Sequence, residues 1–369
     1  MKIEIVVDPA RPAPPASLVS RVAPAASAPA ASDARGASCC ILQRPEWADV
    51  VPLEQYENVT PLAPIFYTDE YRDATNYFRG IVKSGEMSPR VLELTENVIR
   101  QNPGHYSAWQ YRYKTLMALK SPLDDELQLM DELAIKHLKT YQVWHHRRLL
   151  VQQTRNPGPE LEFIANSLQV DMKNYHTWSY RQWILAYFND DALWSHELDF
   201  VESMLESDVR NNSAWHHRFF VAFQSGVRNG DEDRDAIVRR ELAFVKERIA
   251  IAPNNASAWN YLRGVLDHAK IPYSELQAFV LPYSLPQLPL GIPPEVVDLE
   301  NPLPSKDSQL PCVAAVEFMA DIHEAAGGGD LVKATELWKS LANEHDTIRK
   351  RYWEYRIAES LKTKSGGDG

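Results

Sequence analysis

The amino-acid sequence predicts an all-α protein: a right-handed superhelical, crescent-shaped solenoid of stacked helical hairpins. Three observations carry this expectation. Tryptophan recurs within a shared octapeptide at Trp109, Trp144, Trp178, Trp215 and Trp259, at intervals of 35, 34, 37 and 44 residues. Seventeen residues before each stands a leucine (Leu92, Leu127, Leu161, Leu198, Leu242), preceded in the last four copies by Glu126, Glu160, Glu197 and Glu241. Between these marks, apolar residues keep a 3.6-residue period and stop at clusters of Asn, Asp or Pro. Such units bury their apolar faces only against their neighbours, so they stack.

Residues 9–36 are rich in Pro, Ala and Ser and hold few large apolar groups. Burial there cannot offset the entropy of ordering, so residues 1–43 are expected to form an irregular or disordered tail. A single helical-repeat domain is expected over 44–369. Its first helical pattern falls at 68–82, before clear repeats over about 89–268.

Each repeat reads as two helices. The first follows the Glu-Leu pair, as in ELEFIANSLQ and ELDFVESMLE. The second opens at the Asn or Thr before each Trp, residues suited to helix N-caps. Arg follows Trp by three in four copies (Arg112, Arg147, Arg181, Arg218), whereas Leu262 takes that place in the fifth. The tryptophans belong to the core, and the arginines should make buried contacts between repeats with carbonyls or with the recurrent glutamates.

Nine prolines lie between Ile271 and Pro311, a density that predicts an inserted loop without helix over 271–311. Closing helices are expected over 312–363, where Trp353 and Arg356 echo the Trp-to-Arg interval.

The formal charge of −11 argues against general nucleic-acid affinity. Cys39, Cys40 and Cys312 form no C-x-x-C pair, so neither a disulfide framework nor a self-contained zinc site is expected. The start, MKIEIVVD, is too short and charged for a signal-peptide core, and no apolar run approaches about 18 residues. A cytoplasmic protein is expected. The final GGDG carries no prenylation signal of its own.

The segments TYQVWHHRRLL, MKNYHTWSYRQWIL and DVRNNSAWHHRFF, centred on N-Y-x-x-W-x-x-R, resemble the repeats of protein prenyltransferase α subunits. The resemblance extends to RPEWADVVP, ASAWNYLRGVL and DTIRKRYWEYR, and is closest to the α subunits of farnesyltransferase and geranylgeranyltransferase type I. A tetratricopeptide unit differs, since its Trp sits early in the first helix. Thr140 departs from the pattern, standing where the family usually has Asn.

That resemblance implies a heterodimer. A separate β subunit supplies the catalytic zinc, with magnesium accompanying the diphosphate, and this chain binds no metal itself. Together the two would transfer a farnesyl or geranylgeranyl group from its diphosphate to the cysteine of C-a-a-X proteins such as small GTPases. Lys139 and Tyr175 are implied as catalytic groups, and Tyr141, Gln142, Lys173, Asn174 and His176 as substrate-binding ones.

Independently, these residues lie in turns entering helix N-termini, where free N–H groups and the helix dipole attract anions. The simpler alternative for each lysine is a solvated surface charge, and for each tyrosine, packing between hairpins. The pairs His145-His146 and His216-His217 invite a metal, but neighbouring helical residues point about 100° apart and cannot easily share an ion. Two further readings compete: a Rab geranylgeranyltransferase α subunit, and a non-catalytic scaffold that binds peptides in its groove.

Overall fold

The computed structural model describes residues 41, 44–56, 59–225, 233–287, 298 and 300–365. The expectation of disorder over 9–36 lies outside the described residues. The chain divides into two compact units, 1–83 and 84–369.

In the first unit, helix α1 (Asp69–Ser84) follows an irregular stretch and a 3-10 turn at Pro45–Trp47. Trp47 is buried edge-on against Tyr77, with ring centroids 6.1 Å apart. The Leu53 N–H bonds the Asn76 carbonyl, and Arg79 bonds the Leu53 carbonyl at 2.9 Å. Gly80 permits this close approach, since a Cβ there would collide with the Val51 carbonyl oxygen.

The second unit holds the repeats. Five hairpins pair α2 (Pro89–Gln101) with α3 (Tyr106–Leu119), α4 (Leu123–Lys136) with α5 (Tyr141–Thr154), and α6 (Glu160–Val170) with α7 (Tyr175–Phe188). After the four-residue α8 (Asp191–Trp194), α9 (Glu197–Ser207) pairs with α10 (Asn212–Phe223), and α11 (Arg234–Ile251) with α12 (Ala256–Ala269). The second helices α3, α5, α7, α10 and α12 contact one another in succession, and α4 contacts α6, giving two layers. Among the described residues there is no strand.

Two polar ladders fix the spacing between hairpins. In the first, each tryptophan donates its Nε1–H to the carbonyl six residues back, from Trp109 to Pro103, Trp144 to Leu138, Trp178 to Met172, Trp215 to Val209 and Trp259 to Pro253, at 2.7–2.9 Å. Three of these carbonyls also accept the side-chain amide of the following repeat's Asn: Asn174 to Leu138, Asn211 to Met172, and Asn255 to Val209. The Oδ1 of each Asn meanwhile caps its own helix, accepting from Thr177 N, from Ser213 and Ala214 N, or from Ser257 N. Thr140 makes no side-chain cap bond, so the Pro103 carbonyl lacks an amide from the second repeat's cap.

In the second ladder, each arginine reaches forward to the recurrent glutamate of the next repeat's first helix, at or near its start in α4, α6 and α9 and farther along in α11. Arg112 binds Glu126, Arg147 binds Glu160, Arg181 binds Glu197, and Arg218 binds Glu241, each through Nε and Nη2. All eight side chains are buried. Every glutamate takes a further hydrogen bond from the residue two after its own repeat's Trp, alternately His146, Tyr180, His217 and Tyr261. The remaining Arg Nη1 alternates in step: Arg112 and Arg181 bond the Leu92 and Leu161 carbonyls, whereas Arg147 and Arg218 bond Asp131 and Glu202. Arg147, Arg181 and Arg218 also stack on Phe163, Phe200 and Phe244 at 3.5–3.6 Å.

Both ends of this ladder are apolar. Val91 holds the glutamate's place in the first repeat and Leu262 the arginine's place in the fifth, and both are buried. Each absent charge is one that would have found no partner. A buried ion pair adds little net stability over an apolar replacement, so the ladder's physical role is to set register: a slipped hairpin would strand a charge.

Beyond Ile271 the structure corrects the expectation of a helix-free insertion. Helix α13 (Gln277–Ser284) runs through Pro282, because burying Phe279, Val280 and Tyr283 outweighs one lost backbone hydrogen bond. It packs on α14 (Val313–Ala326), which is followed by α15 (Asp330–Ser340) and α16 (Lys350–Ser365). Trp338 and Trp353 centre that end's core. Arg356 turns to Asp321 and Glu324 on α14, at 2.8 and 2.6 Å, so the Trp-to-Arg echo survives with different partners.

Candidate functional site

The turns before α5 and α7 bring the sequence-derived candidates together. Lys139 lies just before α5, with its side chain 83% exposed, and Lys173 takes the matching place before α7. Tyr141 and Tyr175 occupy the first positions of these helices and are 63% and 77% exposed. Such exposure excludes the packing role that a repeated aromatic residue suggests. Tyr141 stacks on His145 (5.9 Å) and meets His176 edge-on (6.3 Å), while Tyr175 meets His176 at 5.5 Å. These four rings line a groove of about 120 Å³ between α5 and α7.

Gln142 faces the other side of α5. It lines a larger groove of about 450 Å³ between α3 and α5, with Tyr106, Trp109, Tyr113 and His145. Tyr106 is a member that reading the turns alone misses. Aligning helix starts finds it, because Tyr106, Tyr141 and Tyr175 each stand three residues before a repeat Trp. Arg148 is another: its neighbour Arg147 is buried in the ladder, while Arg148 stacks on Trp183 at 4.6 Å in the α5/α7 groove.

Asn174 departs from the expectation of a substrate contact. It is 3% exposed, and its amide is committed at both ends, to Thr177 and to the Leu138 carbonyl. Its position in the repeat suits a cap, and the fold uses it as one. At α5, by contrast, Thr140 makes no side-chain cap bond, so no side chain of the cap residue covers that helix's first N–H groups. Lys139 and an open helix N-terminus thus lie side by side, an arrangement that favours an anion.

Each lysine leans on a carboxylate from the next turn along. Lys139 Nζ lies 3.7 Å from Asp171 Oδ2, and Lys173 Nζ lies 3.0 Å from Asp208 Oδ2. The Lys173 hydrogen bond, with lesser help from the Arg210 N–H, holds the Asp208 carboxyl below its usual range. His145 is exposed and His146 is buried on Glu126, so the two neighbouring rings face different surroundings. Among the described residues, no three His, Cys, Asp or Glu side chains are placed to hold a metal ion. No helix among them is long and apolar enough to cross a membrane.

Comparison with known proteins places this geometry. The protein prenyltransferase alpha subunit repeat matches at residues 88–119, 123–154, 159–188, 194–225 and 238–269, the five hairpins described above. The Schizosaccharomyces pombe protein farnesyltransferase/geranylgeranyltransferase type-1 subunit alpha is 38% identical, over 87% of this chain and 96% of its own length. This chain belongs to the protein prenyltransferase α-subunit family. Within that family its structure is similar to a chain of the Candida albicans protein geranylgeranyltransferase-I complexed with GGPP. The TM-score is 0.71 at 30% identity, covering 85% of this chain and 97% of that one. The mouse geranylgeranyl transferase type-2 subunit alpha is 31% identical over only 54% of this chain and 38% of its own length. Similarity that runs nearly end to end with the type-1 subunit, and only partway with the type-2 subunit, separates the two readings left open by the repeat pattern.

Proposed function

We propose that this prenyltransferase α subunit completes a C-a-a-X prenyltransferase. With a β subunit, it would transfer a farnesyl or geranylgeranyl group to the cysteine of a C-terminal C-a-a-X sequence, on substrates such as small GTPases in the cytoplasm. The observation that carries this reading is the row of exposed Lys139, Tyr141 and Tyr175 with half-buried Gln142 and His176. These side chains are collected on adjacent turns that no requirement of the solenoid's own packing explains.

In the reaction the substrate sulfur bonds to the isoprenoid's first carbon, and the bond from that carbon to the diphosphate oxygen breaks. Charge therefore grows on the departing diphosphate. Lys139 and the open N–H groups of α5 would meet it, and a fixed donor that gains strength as charge develops lowers the barrier. The Tyr175 hydroxyl would donate to the same group, with Tyr141, Lys173 and His176 around it. Gln142, one residue along on the opposite groove, would donate its amide to the terminal carboxylate of the protein substrate. The described residues offer no ligand set for the family's zinc, which the resemblance assigns to the β subunit, with magnesium accompanying the diphosphate.

Co-expression with each candidate β subunit, followed by transfer of farnesyl or geranylgeranyl diphosphate to a C-a-a-X peptide, tests the proposal. The heterodimer should transfer one or both lipids, and this chain purified alone neither. A stable complex that transfers neither lipid would favour the scaffold reading instead.

A further inference from the structure

Resting on that reading, we infer that Asp171 is a positioning residue for Lys139, and that Asp208 serves Lys173 in the same way. The two carboxylates divide their oxygens identically. Asp171 Oδ1 accepts the backbone N–H of Lys173 at 3.2 Å, which fixes the carboxylate within its own turn, while Oδ2 faces Lys139 Nζ in the preceding repeat. Asp208 Oδ1 accepts the Arg210 N–H at 2.9 Å, and Oδ2 faces Lys173 Nζ. Each carboxylate stands seven residues before its repeat's Trp, and each lysine five before its own. The pairing is therefore generated by the repeat, and it stops after Asp208 because Ala252 holds that place in the fifth copy.

An exposed lysine has four rotatable bonds, and fixing them costs rotamer entropy. A surface ion pair contributes little to folding, so stability does not account for this one. Its consequence is local. The ammonium is held over the turn between α4 and α5 before any diphosphate arrives, and the cost of ordering it is not charged to the transition state. A carboxylate so close to an anion site would also repel substrate. It is tolerable only because Lys139 lies between, shared by Asp171 in the free site and by the diphosphate in the occupied one.

The test uses the heterodimer and single-turnover transfer, with four forms: wild type, Lys139→Ala, Asp171→Asn and the double variant. Asn at 171 keeps an Oδ1 for the Lys173 N–H, so the turn is preserved while the charge is lost. The expected result is that Asp171→Asn slows single turnover about 5-fold, and that adding it to Lys139→Ala slows the reaction no further. The inference is overturned if Asp171→Asn slows transfer equally in both backgrounds, since Asp171 then acts without Lys139. It is overturned also if Asp171→Asn leaves the rate unchanged or merely tightens diphosphate binding, since the carboxylate is then only a competitor for the lysine. A normal rate for Lys139→Ala would instead remove the assignment of Lys139, a different failure that the same four measurements identify.

Discussion

Arg181 grips Glu197 through two hydrogen bonds of 2.5 and 2.9 Å, although the two residues belong to different hairpins and lie 16 positions apart in the chain. The pair is sealed from water, stacked on Phe200 and completed by His217, so removing either partner leaves the other buried and charged.

Arg181→Ala should therefore destabilise the protein by about 3–5 kcal/mol. The apolar double replacement Arg181→Met with Glu197→Leu should cost much less, because no charge is stranded. Thermal unfolding of the heterodimer at fixed concentration checks both. A double variant as unstable as the single one would show that the pair stabilises the fold directly.

The first junction offers a gain. Thr140→Asn should supply the cap of α5 and the missing amide to the Pro103 carbonyl, raising stability by about 1 kcal/mol. The unfolding midpoint measures the gain. Activity is a second readout, because the new cap covers N–H groups beside Lys139: transfer should fall even as stability rises.

Acid should act in two stages. Burial pushes the imidazoles of His146 and His217 below their usual range, against the opposing pull of Glu126 and Glu197. The buried Nδ1 of His217 has no hydrogen-bond partner, which suits a neutral ring and would penalise a protonated one. Groups with lowered folded values resist protonation in the fold, so their contribution is complete above about pH 6.5 and is lost as pH falls below it. Glu126 follows later. Burial opposes its ionisation, but hydrogen bonds from His146 and Arg112 prevail and hold it at about 2, so its contribution fades from about pH 4.3 downward. Replacing both histidines by tyrosine, the residue of the alternate rungs, should abolish the first stage. Denaturation midpoints at pH 7.5 and 5.5 would then coincide more closely than in the wild type.

Lys139→Ala in the heterodimer should lower kcat/KM for prenyl transfer roughly 10–100-fold with little change in unfolding midpoint. Asn174→Ala should do the reverse, lowering stability by about 1–2 kcal/mol through loss of a cap and an inter-repeat bond. Steady-state transfer and thermal unfolding on the same two preparations separate the groups that act from the group that holds.

Much of this was legible because the repeat samples each structural rule five times. The Trp-to-Leu interval marks both helices of every hairpin, and the recurrent glutamates stand, with backbone carbonyls, among the partners the pattern offers the arginines. What single residues could not disclose was which chemistry a position performs. Asn174 and Tyr175 are adjacent and equally suited to a binding site by pattern. Yet the cap geometry buries one and exposes the other, and only the carbonyl of Leu138, 36 residues away, explains why. Helix α13 was hidden for the opposite reason, a local proline signal overruled by tertiary burial of Tyr283 and Phe279.

The apolar ends of the arginine ladder give the array a direction, like a sentence with an opening and a full stop. An interior hairpin could be duplicated and every cation would still meet an anion. Exchanging the outermost two would leave one buried acid at the front and another at the next joint without an arginine, and an arginine at the far end without its acid. Growth of such a protein by tandem duplication is thus permitted in the middle and blocked at its borders, so Val91 and Leu262 act as the punctuation that keeps the count of repeats from drifting at either end.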